Sequence, residues 1–560
     1  MSRHHLVQRL SPWLPFLLWQ RPDAPLLRNE ALAGVTVGLM LVPQGIAYAS
    51  LAGMPLITGI YASMLPALIA VLFSASPRLS VGPTALTCLM VSASLTGLAA
   101  PGSARWIELA MWLALLSGVL QIALGYLRSG WLLSLVNAPV LMAFTQGAAV
   151  LIIGSQLPAM LGLAGGWASL LAQASPLPRL HLPTLAFGLG AYAALQLARR
   201  LPKTVPTVLL LVVLSSAISA GSGFEGRGGA VIGDLPQGLP ALALPGWPGW
   251  ELLSQLLLPT LLITLVSFLE TASSARVDSR ELGQRWDRER DLIGHGLGKI
   301  AAGFSGAFPT STSFSRSALN RYAGARTGWS VIFSVAVVAL ALLFTPALHH
   351  VPMAVLAAIV VAAVQGLIAP LEFLRVWKVS RVEAGIAVVT FAVTVASAPR
   401  LYWGVLTGVV MALSHFLYMR LHPRIVEVGL HPDGSLRDRH LWNLPTLGPH
   451  TYALRMDAAL DFATANDLER SITLHIARHP DTRRVVLIAH PINWIDATGV
   501  ETFGTLLSQL HAQGIALHLV GLKLPVEKLL KAAGFLDGHP LLTLYRTEAE
   551  ALQVDWGNTA

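Results

Sequence analysis

Up to about residue 420, hydrophobic positions fall into long apolar runs separated by short polar stretches. The runs of the first half predict spans at Leu32–Leu51, Ile57–Phe73, Trp106–Leu127, Leu133–Ile153, Leu182–Leu197 and Val205–Ala220. Those of the second half predict Leu252–Ala275, Leu292–Phe308, Trp329–Pro346, Met353–Ala369, Val382–Ala398 and Trp403–Tyr418. Two more segments, Thr84–Leu98 and Ser315–Tyr322, are too short to span, since a spanning helix needs about 20 residues. Each is third in its half, which gives about fourteen segments, seven on each side of a Gly- and Pro-rich loop from Gly221 to Trp250. Paired short segments in two halves are a sequence sign of a binding site near the bilayer midplane.

After Arg420 the long apolar runs stop. Leu421–Leu447 reads as a linker to a first strand near Tyr452–Leu454. Helix Phe462–Arg478, strand Arg484–Ala489, helix Thr498–Gln513, strand Ile515–Val520 and helix Val526–Ala533 follow. Strands alternating with helices predict a soluble α/β domain. The expected division is an N-terminal segment 1–30, a membrane domain 31–420, a linker 421–447, an α/β domain 448–553 and a tail 554–560.

The polar residues inside the apolar region carry the candidate chemistry. Gly303 to Ser330 is rich in Gly, Ser and Thr and holds Arg316 in its middle. Such groups at bilayer depth are costly unless they line a cavity. Pro309 should interrupt a helix arriving from Phe304, and Ser313 or Ser315 can cap a new one. Unpaired N–H groups at that start, together with Arg316, suit a small anion. The alternative is that these hydroxyls bond back within one helix while Arg316 meets a lipid phosphate. Arg78 to Thr87 repeats the design with Pro83 and Thr84. In the first span, Gly34 and Gly38 have the spacing of a close helix contact. Pro43 should break that helix, and Gln44 and Tyr48 share one face. Gln44 either satisfies backbone groups freed by the break or touches a ligand. Glu270 stands within an apolar run, where an ionised carboxylate needs a partner or solvent. It is either a proton-coupling group or a structural partner of Arg316.

Composition agrees. The chain is 54% hydrophobic and 12% charged, against about 25% charged for an ordinary globular protein. The formal charge of +9 is dispersed over loops, which points to membrane topology rather than nucleic-acid binding. Arginines cluster in alternate loops: Arg199, Arg200 and Lys203, then Arg276 to Arg290. The positive-inside rule then places the N-terminus in the cytoplasm, and no signal-peptide cleavage pattern precedes the first span. One cysteine, Cys88, excludes an intramolecular disulfide. His349-His350 falls in an outer loop and reads as a solvated pair, and His295 as part of a helix. No nucleophile–base pair, Walker loop or metal cluster stands out, so no enzyme, cofactor or metal is expected.

Five stretches resemble the sulfate permease (SulP) family of anion transporters. They are Leu41–Ala49, Ser80–Thr84, Ile232–Pro240, Ser313–Asn320 and Gly324–Thr327. The tail, with Asp496-Ala-Thr-Gly499 between a strand and a helix, is similar to a STAS domain. The resemblance implies an inverted seven-plus-seven repeat divided into core and gate, a multi-pass inner-membrane protein with both termini cytoplasmic, and a homodimer. It implies a small anion held between the short helices by Thr84, Ala85, Phe314 and Ser315, with Gln44, Tyr48 and Arg316 around it. It implies Glu270 as the proton-coupling group, because proton-linked members carry Glu there. Sulfate with proton symport is the implied activity, with bicarbonate, chloride or dicarboxylates as alternatives. A membrane-anchored regulator acting through the STAS domain is the reading from another class. Thr498 matches a hydroxyl phosphorylated in related regulators, and Asp496 or Thr498 otherwise only caps its helix. Lys299 departs from the family's usual Asn.

Overall fold

The computed structural model describes residues 14–163, 180–201, 205–536, 538–554 and 556. The start of the expected N-terminal segment, the loop cation Lys203 and most of the expected tail lie outside these residues. The chain forms two compact units, one up to Ala412 and one from Leu413 on.

The first unit is helical. Its elements are α1 (Ala24–Leu51), α2 (Ile57–Tyr61), α3 (Leu65–Phe73), β1 (Val81–Gly82), α4 (Ala85–Leu95), α5 (Ala104–Tyr126), α6 (Ala138–Leu161), α7 (Leu182–Ala198) and α8 (Thr207–Ser222). Then come α9 (Trp250–Glu281), α10 (Arg288–Phe304), β2 (Ser311–Thr312), α11 (Phe314–Tyr322), α12 (Trp329–Ala341), α13 (Met353–Val364), α14 (Leu371–Val379) and α15 (Arg381–Ala396), with α16 (Tyr402–Leu421) running into the second unit. Among the described residues, six helical stretches are long and apolar enough to cross a membrane, counting α13 and α14 with the turn between them (Met353–Val379) as one.

Two packing groups emerge. In one, α1 packs on α2 and α12, α10 on α3 and α5, and α9 on α4 and α5. In the other, α6 packs on α7, α13 and α15, and α7 on α8 and α13. Small residues set the closest approaches. A Cβ on Gly34 would strike the Ser330 carbonyl, and one on Gly38 would sit 2.8 Å from Val337 Cβ. The spacing expected of those glycines is thus a real helix contact, with α12.

Four elements differ from the sequence pattern. The span read as Ile57–Phe73 is divided into α2 and α3, with Pro66 in the first turn of α3. Pro43 does not break α1, which runs continuously to Leu51; proline is tolerated in packed membrane helices because neighbours absorb the lost bond. The sixth helix starts at Ala138 rather than Leu133, because Asn137 caps it by accepting from Val140 N at 3.1 Å. Residues read as a loop after Ala369 form α14, whose Leu371, Leu374 and Trp377 are exposed.

The second unit is an α/β domain. Its elements are β3 (Ile425–Leu430), β4 (Leu436–Asp438), α17 (Arg439–Trp442), β5 (Thr451–Met456), α18 (Ala465–Arg478), β6 (Arg484–Ile488), α19 (Ala497–Ala512), β7 (Ala516–Val520), α20 (Leu524–Ala532), β8 (Leu542–Tyr545) and α21 (Glu548–Leu552). The sheet order is β4-β3-β5-β6-β7-β8. β3 is antiparallel to β4 and β5, and β5 to β8 are parallel. Residues 421–447, read as a linker, therefore carry two strands of the sheet. The strands are short, and the Gly- and Pro-rich polar turns around them hide their alternation. Leu454, Leu487, Leu517 and Leu519 fill the core on one face with Phe503 and Leu507 of α19.

Candidate functional site

The two short helices begin beside one another. β1 and β2 pair antiparallel, Val81 with Thr312 and Gly82 with Ser311, and Ser313 N donates to Ser80 O at 3.0 Å. This pairing answers the backbone groups of two non-helical segments inside an apolar bundle, which lipid could not do. After β1, Thr84 caps α4 by accepting from Thr87 N at 3.4 Å. After β2, Ser313 caps α11 by accepting from Arg316 N at 3.4 Å. Ser313, not Ser315, is the cap. α10 ends at Phe304, ahead of Pro309.

Arg316 is 1% exposed and extends its guanidinium across the crossing. Nε donates to Ser80 Oγ (3.3 Å), Nη1 to Gln44 Oε1 (3.4 Å) and Nη2 to Pro83 O (3.1 Å). All three acceptors are neutral. Among the described residues, no carboxylate lies within ion-pair distance of Arg316. Gln44 therefore turns its carbonyl oxygen to this cation.

Glu270, on α9, accepts from Thr84 Oγ1 at 3.1 Å and Thr87 Oγ1 at 3.5 Å. The pairing with Arg316 considered as its alternative role is not made; threonine hydroxyls hold the carboxylate instead. Lys299 of α10 is also buried, and its ammonium donates to Ser267 Oγ of α9. Thr271 and Thr312 hydroxyls meet at 2.9 Å, and Ser311 Oγ donates to Ser267 O at 3.2 Å. His295, buried in α10, has Nδ1 3.5 Å from Thr312 Oγ1. The crossing thus gathers two buried cations and one carboxylate, linked through hydroxyls.

The expected ligand ring is present in two parts. Gln44, Tyr48, Thr84 and Ala85 are buried. Phe314 and Ser315 are exposed and line a cavity of about 580 Å³ with Thr36, Met40, Tyr322 and Arg199. That cavity lies between α1 and α11 of one packing group and the end of α7 and start of α8 of the other. Its last four residues escaped the sequence reading, although the Arg199-Arg200 pair was a visible sign of a cationic mouth. Ser80, Thr87 and Ser267 also escaped it, since isolated hydroxyls in apolar runs carry no spacing signal.

In the second unit, Asp496 caps α19, with Oδ1 accepting from Gly499 N at 2.8 Å and Oδ2 from Phe462 N at 3.0 Å. Thr498 is exposed in the first turn.

A family model described as "Sulfate permease family" matches residues 27–390, and one described as "STAS domain" matches residues 444–551. A relative from Mycobacterium tuberculosis (strain CDC 1551 / Oshkosh), "Probable sulfate transporter MT1781", is 31% identical over 92% of this chain and 94% of its own. The structure of murine Solute Carrier 26 family member A9, an anion transporter in the inward-facing state, superposes with a TM-score of 0.86 at 19% identity. It covers 99% of this chain and 95% of its own. The transmembrane domain of the cyanobacterial bicarbonate transporter BicA superposes with a TM-score of 0.58 at 23% identity, over 70% of this chain and 99% of its own.

Proposed function

This chain belongs to the sulfate permease family, and from that premise we propose that it is a secondary transporter carrying sulfate across the membrane by proton symport. That it is an anion transporter of this family, with a helical membrane domain and a C-terminal STAS domain, follows from the family itself. The cargo and the coupling ion are the proposal.

One observation carries it. Arg316 stands at the starts of two facing short helices and, among the described residues, has no carboxylate within ion-pair distance. A buried cation and two positive helix ends favour an anion between them. Gln44, Tyr48, Thr84 and Ala85 are buried about that position, Phe314 and Ser315 line the adjoining cavity, and a rocking of one packing group against the other would expose it to either side. Glu270, held only by hydroxyls, is the group that would take up a proton with the anion. Bicarbonate is the second cargo to weigh, because BicA, named for it, shares the fold. The protein would act as a homodimer, with both termini cytoplasmic.

The test is uptake of labelled sulfate into proteoliposomes with and without an inward proton gradient. Bicarbonate, chloride, succinate and fumarate serve as competitors. Gradient-driven uptake that disappears in Arg316→Ala and loses its pH dependence in Glu270→Gln supports the whole reading. Exchange driven by a competitor, with no sulfate uptake, reassigns the cargo. No flux of any anion from folded protein refutes transport and favours a regulator working through the STAS domain.

A further inference from the structure

At the far end of α8 from its start at Thr207, the chain turns through Glu225 in a short 3-10 helix. Residues 223–249 lead from α8, in one packing group, to α9, in the other. Residues 342–352 lead back, from α12 to α13. These two connections are bonded together. Ile232 N donates to Val351 O (3.0 Å), Gly233 N to His349 O (3.1 Å) and Met353 N to Ala230 O (2.9 Å).

Four side chains meet on that short ladder. His349 Nε2 lies 3.4 Å from Glu225 Oε2, and His350 Nδ1 lies 3.8 Å from the same oxygen. The three atoms all fall within 4.8 Å of one another. His349 Nδ1 is 2.7 Å from Asp234 Oδ1. Zinc bonds to nitrogen and oxygen are about 2.0–2.1 Å long, so tetrahedral ligand atoms stand about 3.3 Å apart. Glu225 Oε2, His349 Nε2 and His350 Nδ1 approach that triangle, and a water can complete the four. Asp234 fills the outer position: a carboxylate on the other ring nitrogen fixes the tautomer that leaves Nε2 free to bind metal. Two imidazoles in the set favour a zinc-type ion over calcium or magnesium, which take oxygen ligands. Two carboxylates offset the ion's charge. A protonated His349 donating to both carboxylates would account for its own two contacts, but not for the approach of the His350 nitrogen to the same Glu225 oxygen.

We propose that Glu225, His349 and His350, with Asp234 orienting His349, form a binding site for a divalent transition metal of the zinc type that clamps the two connections together. The sequence hid it because Glu225 and His349 lie 124 residues apart. The site stands on its own geometry and does not rest on the identity of the transported anion.

The test is calorimetric titration of the purified full-length protein with Zn²⁺, and Co²⁺ absorption to read the ligand set. Wild type is compared with a Glu225→Gln/His349→Ala/His350→Ala variant and with Asp234→Asn. Wild type should bind one more ion than the triple variant and give a four-coordinate Co²⁺ spectrum. Asp234→Asn should weaken binding about 10–100-fold, as loss of an outer partner does. Size-exclusion profiles confirm that each variant is folded, and other histidines in the chain are common to all samples. In hydrogen exchange on wild type, Zn²⁺ should slow the amides of Ile232, Gly233 and Met353. Equal Zn²⁺ stoichiometry in wild type and the triple variant overturns the site. Unchanged exchange at those amides overturns the clamp.

Discussion

Arg316→Lys separates the charge of the site from its shape. Lysine keeps the cation, but its single ammonium cannot reach Ser80, Gln44 and Pro83 together as the guanidinium fork does. Keeping one bond loses two. At about 1.5 kcal/mol each, the lower end for bonds with a charged partner, the loss is about 3 kcal/mol. That is roughly a hundredfold in the balance between ordered and loosened starts of α4 and α11. The expected result is a KM for the transported anion raised by about that factor in proteoliposomes. Gln44→Ala removes one acceptor, at the longest of the three distances, and should raise KM about tenfold. Thermal unfolding in detergent shows whether each variant is folded before its kinetics are read. A lysine variant with wild-type KM would mean that charge alone makes the site, and the argument from the fork would fail.

Three further outcomes follow from local geometry. A Cβ on Gly59 would overlap the Gly45 carbonyl, so Gly59→Ala should cost about 1–3 kcal/mol of stability, while Gly154→Ala, where an added Cβ would meet no other atom within 4 Å, should leave the unfolding temperature unchanged or slightly raised. His518, on β7, is pushed down from 6.5 to about 4 by burial and by the nearby Arg484 charge. Its neutral form is favoured in the fold, so its contribution is complete above about pH 6.5 and is lost as pH falls towards 4. The ring is only partly enclosed, so about 1–2 kcal/mol should disappear across that window after allowing for solvent. Urea unfolding of residues 423–560 on either side of it should show the loss, and His518→Gln should flatten it. Asp496→Ala removes both the Gly499 and Phe462 bonds and should cost the same fragment about 1–2 kcal/mol, while Thr498→Ala, at an exposed position, should cost almost nothing. An unchanged urea midpoint in Asp496→Ala would refute the cap.

Arg316, Glu270 and the two short helices were legible because polar groups inside apolar runs are costly and so mark themselves. Proline and a capping hydroxyl gave the helix starts to within a residue or two. The contacts of those groups were not legible. Arg316 meets partners 236, 272 and 233 positions away, and no spacing along one helix encodes such distances. The pairing of β1 with β2 covers two residues on each side, too few for a strand pattern. Pro43 misled because proline's cost depends on what packs around it, and the neighbours of α1 are set by the fold. Strands β3 and β4 were missed for the opposite reason: six and three residues among polar turns resemble a linker.

The distribution of buried charge bears on how cargo and proton are linked. Elsewhere in the bundle, buried carboxylates are saturated. Glu30 accepts from the N–H groups of Arg326, Thr327 and Ser330, Asp291 accepts from Ser74, Ala75, Ser76 and Trp286, and Asp278 pairs with Arg78 at 2.7 Å. At the crossing the balance among the described residues differs: with Lys299 protonated, it and Arg316 set two cations against the one carboxylate of Glu270. A divalent anion there leaves one negative charge in excess if Glu270 is ionised and none if it is protonated. A monovalent anion is neutralised with Glu270 ionised. Uncompensated buried charge is costly, so the neutral combinations should prevail. A divalent cargo should therefore enter with one proton, and a monovalent cargo without one. Glu270→Gln fixes the protonated count: divalent uptake should persist without pH dependence, and monovalent uptake should fall relative to it. Lys299→Ala should reverse that preference. Measuring both cargoes in both variants tests the count directly, and a Glu270→Gln protein that carries divalent and monovalent anions in the wild-type ratio, with wild-type pH dependence, would refute it.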